Sequence, residues 1–134
     1  MIIVSSDENR IVEIGTSDIW MSLCATIEVR LDYFSDEIPL AIQFLRTEKC
    51  EAKDGNASAR QFNLIRDELA KFKPDKVVYD INDIDRAAPW ANNISDVITS
   101  CANFYTTSDG KDLLFEIVSI LCYAGIVGVD VAIM

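Results

Sequence analysis

Histidine is absent from this chain, and bases are scarce: 12 Lys and Arg stand against 22 Asp and Glu in 134 residues. The first absence removes the commonest general base, the usual activator of serine and cysteine nucleophiles, and the commonest metal ligand. The second leaves a formal net charge of −10. That charge argues against binding a nucleic-acid backbone, which demands clustered Lys and Arg, and it repels anionic membrane surfaces. The four cysteines, Cys24, Cys50, Cys101 and Cys122, include no C-x-x-C pair, so neither a zinc site nor a thioredoxin motif is signalled. Long apolar runs are missing too. The uncharged stretch 117–129, between Glu116 and Asp130, falls short of the ~20 residues a membrane span needs. Residues 1–8 lack the basic region and apolar run of a secretory signal. A cytoplasmic location with reduced, mostly buried thiols is expected.

What is present is a chain of one-domain length, half of it hydrophobic, which is enough for a core without disulfide or metal staples. Its charge is uneven. Residues 1–40 hold eight acids and two bases, and residues 41–76 hold six acids and eight bases. Residues 77–112 hold six acids and two bases, and the remainder holds two acids and no base. If the first and third blocks lie side by side, they form one acidic face. Acidity alone keeps a protein soluble, but a concentrated acidic face also speeds encounter with a basic partner.

The pattern predicts an α+β fold in one domain, residues 1–134. Ile2-Ile3-Val4 and Ile11-Val12-Glu13-Ile14 flank the turn Asp7-Glu8-Asn9 and read as an N-terminal β-hairpin. Thr16 or Ser17 caps a helix with Ile19, Trp20, Leu23, Ile27 and Leu31 at helical spacing, ending near 32–35. Pro39 opens a shorter helix, with Ile38, Ile42 and Leu45 as its apolar face. After a loop at Lys53-Asp54-Gly55-Asn56, Ser58 is the expected cap of a third helix lined by Phe62, Ile65, Leu69 and Phe72. Residues 76–80 are rich in β-formers and read as a strand, and Phe104 to Thr107 as another. Asp109 is the expected N-cap of a fourth helix ended by Gly125, and residues 126–133 read as a final strand. About four helices should therefore pack on a small sheet completed by strands near 76–80 and 126–133.

Three pieces in order carry a family likeness: Pro74-Asp75-Lys76-Val77-Val78-Tyr79-Asp80-Ile81, then Pro89-Trp90 with Asn93-Ile94-Ser95, then Thr107-Ser108-Asp109-Gly110-Lys111-Asp112-Leu113. The chain resembles bacterial immunity proteins that protect against polymorphic or contact-dependent inhibition toxins. It departs from their pattern at Ala88 (Pro expected), Ala91 (Gly expected) and Tyr79 (commonly Trp). The resemblance implies a stoichiometric inhibitor, not an enzyme and needing no cofactor. Its partner would be the C-terminal domain of a cognate toxin, expected to be basic. Many such toxins are nucleases with basic clefts, where carboxylates can stand in for substrate phosphates.

Asp80, Asp83 and Asp85 form the sharpest acidic cluster, in a long polar loop of the kind that is often functional. An EF-hand register from Asp80 fails, since Asp85 takes the sixth place where glycine is needed and Ala91 the twelfth where glutamate is needed. The cluster is then a set of contacts for Lys and Arg on a partner, a solvated turn whose acids satisfy backbone amides, or both. Trp90 in the same loop is either an exposed interface anchor or, more commonly for tryptophan, a hydrophobic plug. The expected contact surface is Asp80, Asp83, Asp85 and the loop through Trp90, Asn92 and Asn93, extended by Asp7 and Glu8 in the hairpin turn. Residues 107–112 lack the spaced glycines of a phosphate loop, and Ser108 has no histidine to activate it. Two other readings fit the composition: an acidic adaptor for an endogenous basic protein, and a metal-dependent hydrolase using the 80–85 acids.

Overall fold

A computed structural model describes residues 1–89 and 94–134. Strand β1 (Ile2–Ser5) pairs antiparallel with β2 (Ile11–Glu13), forming the expected hairpin. Helix α1 (Ser17–Arg30) follows, then a short 3-10 segment (Asp32–Glu37) and α2 (Pro39–Thr47). Strand β3 (Lys49–Cys50) leads through a 3-10 turn (Ala52–Asp54) into α3 (Gly55–Leu69). After a long irregular stretch come α4 (Leu113–Val127) and β4 (Val131–Ile133). Among the described residues these make an α+β fold with four helices and one antiparallel sheet of order β2-β1-β4-β3.

Strand alternation decides what faces the core. Val12, Ile3 and Ile133 lie in register on the inner face, as do Ser5, Val131 and Cys50, and all six are buried. Helix α4 lies against this inner face and α3 packs on α4. The two helices cross at Gly55 and Gly125, where a Cβ on Gly125 would come 2.7 Å from the Asn56 backbone nitrogen. An edge-to-face aromatic chain joins the other helices. Trp20 of α1 meets Phe44 of α2 at 6.4 Å, and Phe44 meets Phe62 of α3 at 5.9 Å. The N-terminus of α2 has no cap of its own, and Gln61 of α3 supplies one, its Oε1 accepting the Leu40 and Ala41 amides at 2.7 and 3.0 Å.

Several boundaries differ from the sequence expectation. Residues 76–80 are not a sheet strand: Pro74–Lys76 form a 3-10 turn and the sheet is completed by β3 and β4 instead. Val77 is extended, as its β propensity demands, but the backbone of Val78 is bonded to side chains of α1 rather than to a strand. Phe104 to Thr107 yields only a single bridge, Thr106 to Asp112. Asp112, not Asp109, caps α4, accepting the Phe115 amide at 3.1 Å. Asp109 instead bonds the Thr107 hydroxyl within a turn whose Gly110 has φ +85°. Helix α4 runs through Gly125 to Val127 and stops at Gly128, whose φ of +84° makes the left-handed exit. Hence only 131–133 of the predicted 126–133 strand pairs in the sheet. Helix α3 starts at Gly55, three residues before the expected Ser58 cap, because the 52–54 turn feeds straight into it. No helix of the described residues is long and apolar enough to cross a membrane.

Candidate functional site

The acidic segment 79–86 hangs from α1 by a stripe of side chains four residues apart. Arg30, Thr26, Ser22 and Asp18 share one face of that helix. Arg30 Nε donates to the Lys76 carbonyl at 2.8 Å. Thr26 Oγ1 accepts the Val78 amide at 2.8 Å, and Ser22 Oγ donates to the Val78 carbonyl at 2.8 Å. Asp18 lines a shallow cleft with Met21, Tyr79, Asp80, Ile81 and Arg86. The segment therefore runs down α1 from its C-terminal to its N-terminal end.

The clasp at Val78 closes through Tyr105, whose hydroxyl lies 2.7 Å from Thr26 Oγ1 and 2.9 Å from Ser22 Oγ. Each hydroxyl has one proton, and that fixes a cycle. Ser22 donates to the Val78 carbonyl, so Tyr105 donates to Ser22, Thr26 donates to Tyr105, and the Val78 amide donates to Thr26. All four residues are buried, and no buried side-chain polar atom among the described residues lacks a partner. Burial pushes the Tyr105 phenol up to about 12, so it keeps its proton, and its donation, across the physiological range.

Beyond the clasp the chain folds on itself. Asp80 Oδ1 accepts the Asn82 amide at 2.9 Å, and the Asp80 carbonyl accepts the Asp83 amide at 3.0 Å. Arg86 Nη1 sits 3.6 Å from Asp80 Oδ2, and the guanidinium lies over the Tyr79 ring at 5.4 Å. Asp80 is thus partly committed to its own turn, whereas Asp83 and Asp85 are exposed. Met21 and Ile81 share the lining of the cleft with Asp18 and Asp80, and are 63% and 45% exposed. The cleft thus sets apolar side chains beside two carboxylates and one guanidinium. Asp18, Met21 and Ile81 are the residues that sequence reasoning missed. Asp18 and Met21 fall off the apolar stripe of α1, which is the only signal the sequence carried for them.

Asp7 and Glu8 occupy a different place. Asp7 organises the β1–β2 turn: it accepts from the Ser5 hydroxyl at 2.6 Å, the Tyr123 hydroxyl at 2.6 Å, and the Asn9 amide and side chain at 3.1 and 3.2 Å. The Ser5 hydroxyl first, and then that of Tyr123, hold its carboxyl down at about 2. Glu8 is exposed beside it with φ +61°. Asp7 is tied to Tyr123 near the C-terminal end of α4, whereas Asp80 lines a cleft with the N-terminal half of α1. Trp90, Asn92 and Asn93 lie outside the described residues.

The chemistry of the remaining groups is quiet. All four cysteines are unpaired, and burial pushes the Cys24 and Cys101 thiols up to about 12 and about 11. Neither is a thiolate nucleophile at neutral pH. Among the described residues no group of three or more His, Cys, Asp or Glu is placed to hold a metal ion. The Ser108 amide and hydroxyl are bonded to Glu13, so the 107–112 segment ties β2 to the start of α4.

A family model described as Immunity protein 70 matches residues 5–133. The chain belongs to that family. No curated protein and no solved structure gives a significant match. The family match spans both the hairpin turn and the acidic segment, and it implies a cognate toxin as partner. It supports immunity, and with it an inhibitory rather than catalytic role.

Proposed function

We propose that this protein neutralises a basic cognate toxin domain by stoichiometric binding in the bacterial cytoplasm, without catalysis or cofactor. The contact surface is the 80–85 turn with Asp18, Met21 and Ile81 of the adjoining face, and the loop through Trp90, Asn92 and Asn93. Asp7 and Glu8 extend it only if the toxin reaches the hairpin turn. The observation that carries this reading is the acidic turn itself: it is bonded to α1 through the buried Val78 clasp, yet keeps Asp83 and Asp85 exposed. Exposed carboxylates beside apolar side chains suit a basic cleft such as that of a nuclease, where carboxylates occupy positions meant for phosphates.

The test is co-expression with the toxin domain encoded beside it, scored for survival and for a 1:1 complex. Rescue is expected, and Asp83→Lys with Asp85→Lys should weaken the complex by about 2–5 kcal/mol. A neighbour that kills equally with and without this protein refutes the function. Unchanged affinity of a folded double variant moves the site elsewhere.

A further inference from the structure

The outer face of the sheet has the composition of a buried surface. In an antiparallel sheet with one side packed on helices, outward positions are usually polar. Here Ile11, Val4 and Ala132 lie in register across three strands, and Ile2 pairs through its backbone with Met134. Strand β1 reads Ile-Ile-Val, the sequence of a strand covered on both sides. Among the described residues α4 is the helix that packs substantially on β1, and the outward Ile2, Val4 and Ala132 are half-buried. Ile11 is 56% exposed and Met134 75%. Glu8 and Asp130 border this face, Glu13 stands opposite Ile2, and Lys49 opposite Ala132 is the one base in these rows.

We propose that this sheet face is a second contact surface for the cognate toxin, an apolar centre whose acidic border selects a basic rim on the partner. The proposal rests on the immunity reading above. Area shows that this face is part of a larger interface, and charge chooses the toxin over a second copy of the chain. Strands about 4.8 Å apart and a few residues long span roughly 250 Å² here, far below the about 800 Å² per partner of a stable interface. A face this small can be the centre of an interface but not the whole of one. Two copies would also bring three carboxylates against three around that small centre, in chains that each carry a net charge of −10. A basic toxin turns the same charges into attraction.

The experiment measures binding of the toxin domain to full-length protein and to two sheet variants, with fold checked by urea unfolding. Ile11→Lys with Met134→Lys should lower affinity at least tenfold. Glu8→Lys with Glu13→Lys should slow association at least tenfold and flatten its salt dependence. Wild-type affinity in the Ile11/Met134 variant, alongside loss in the Asp83/Asp85 variant, overturns this proposal and leaves the function intact. No binding by the wild-type protein overturns both. A wild-type dimer in sedimentation that Ile11→Lys converts to monomer also overturns it, since the occupant is then a second copy.

Discussion

Thr26→Val tests whether the Val78 clasp holds the acidic segment in place. Valine has nearly the same shape, so packing is preserved and only the hydroxyl is lost. The Val78 amide then has no acceptor in a site with no exposed surface. Leaving a buried donor unpaired costs about 1–3 kcal/mol, and losing the Thr26–Tyr105 bond adds about 1, so the expected destabilisation is about 2–4 kcal/mol. That is a large share of the roughly 5–15 kcal/mol that stabilises a domain of this kind. Tyr105→Phe removes a hydroxyl from the same cycle but orphans nothing. Ser22 keeps its donation to the Val78 carbonyl, and the Thr26 hydroxyl can turn to that carbonyl, 3.4 Å away. Its cost should be about 1 kcal/mol.

The order of the two variants is therefore the prediction, and urea unfolding of both reads it. Native-state exchange of the Val78 amide should quicken in Thr26→Val far more than in Tyr105→Phe. The double variant should cost less than the sum, since both changes break one cooperative cycle. A Thr26→Val cost no larger than that of Tyr105→Phe would refute the proton assignment of the cycle.

Gly125→Ala should destabilise by about 1–3 kcal/mol through overpacking, less about 1 for the better helix former, because its Cβ would meet the Asn56 backbone at 2.7 Å; thermal unfolding reads it, and a stabilised variant would mean that α3 and α4 can separate freely. Asp7 gives a pH signature. Its folded pKa of about 2 lies below the ordinary 3.8, so its hydrogen bonds favour the folded state above pH 4 and lose that advantage as pH falls toward 2. The stability gap between wild type and Asp7→Asn, measured by urea midpoint, should accordingly narrow between pH 5 and pH 2, and a gap that stays constant would show that the charge of Asp7 does not matter to the turn.

Elements governed by local rules were legible in the sequence. The hairpin follows from apolar alternation around Asp7-Glu8-Asn9, and α2 from Pro39 at its first turn. The failures share one cause: the deciding partner is remote. Val77 and Val78 indicate extended backbone correctly, but propensity says nothing of who accepts the amide, and the acceptor lies 52 residues away on a helix. Gly125 resembles a stop because glycine is a poor helix former, yet its missing Cβ serves a crossing with Gly55, and the stop is Gly128. The acids of the candidate site were visible as a cluster. Met21 and Asp18 were not, since helical periodicity marks what is buried and leaves the exposed face undifferentiated.

The clasp also separates stability from specificity. A sheet strand would bind the chain through every second residue, and its register would then constrain the side chains that follow. Here α1 takes hold at the Lys76 carbonyl and at the amide and carbonyl of Val78. Beyond that point the turn closes on itself through Asp80 and Arg86. Asp83, Ile84 and Asp85 are exposed, so substitutions there change the charge and shape offered to a partner without leaving a hole in the core. Surface substitutions of that sort usually shift stability by no more than ~0.5 kcal/mol. The contact surface proposed above would be well served by such a mount, because its residues are free to vary while the buried cycle of Ser22, Thr26, Val78 and Tyr105 anchors the segment that carries them.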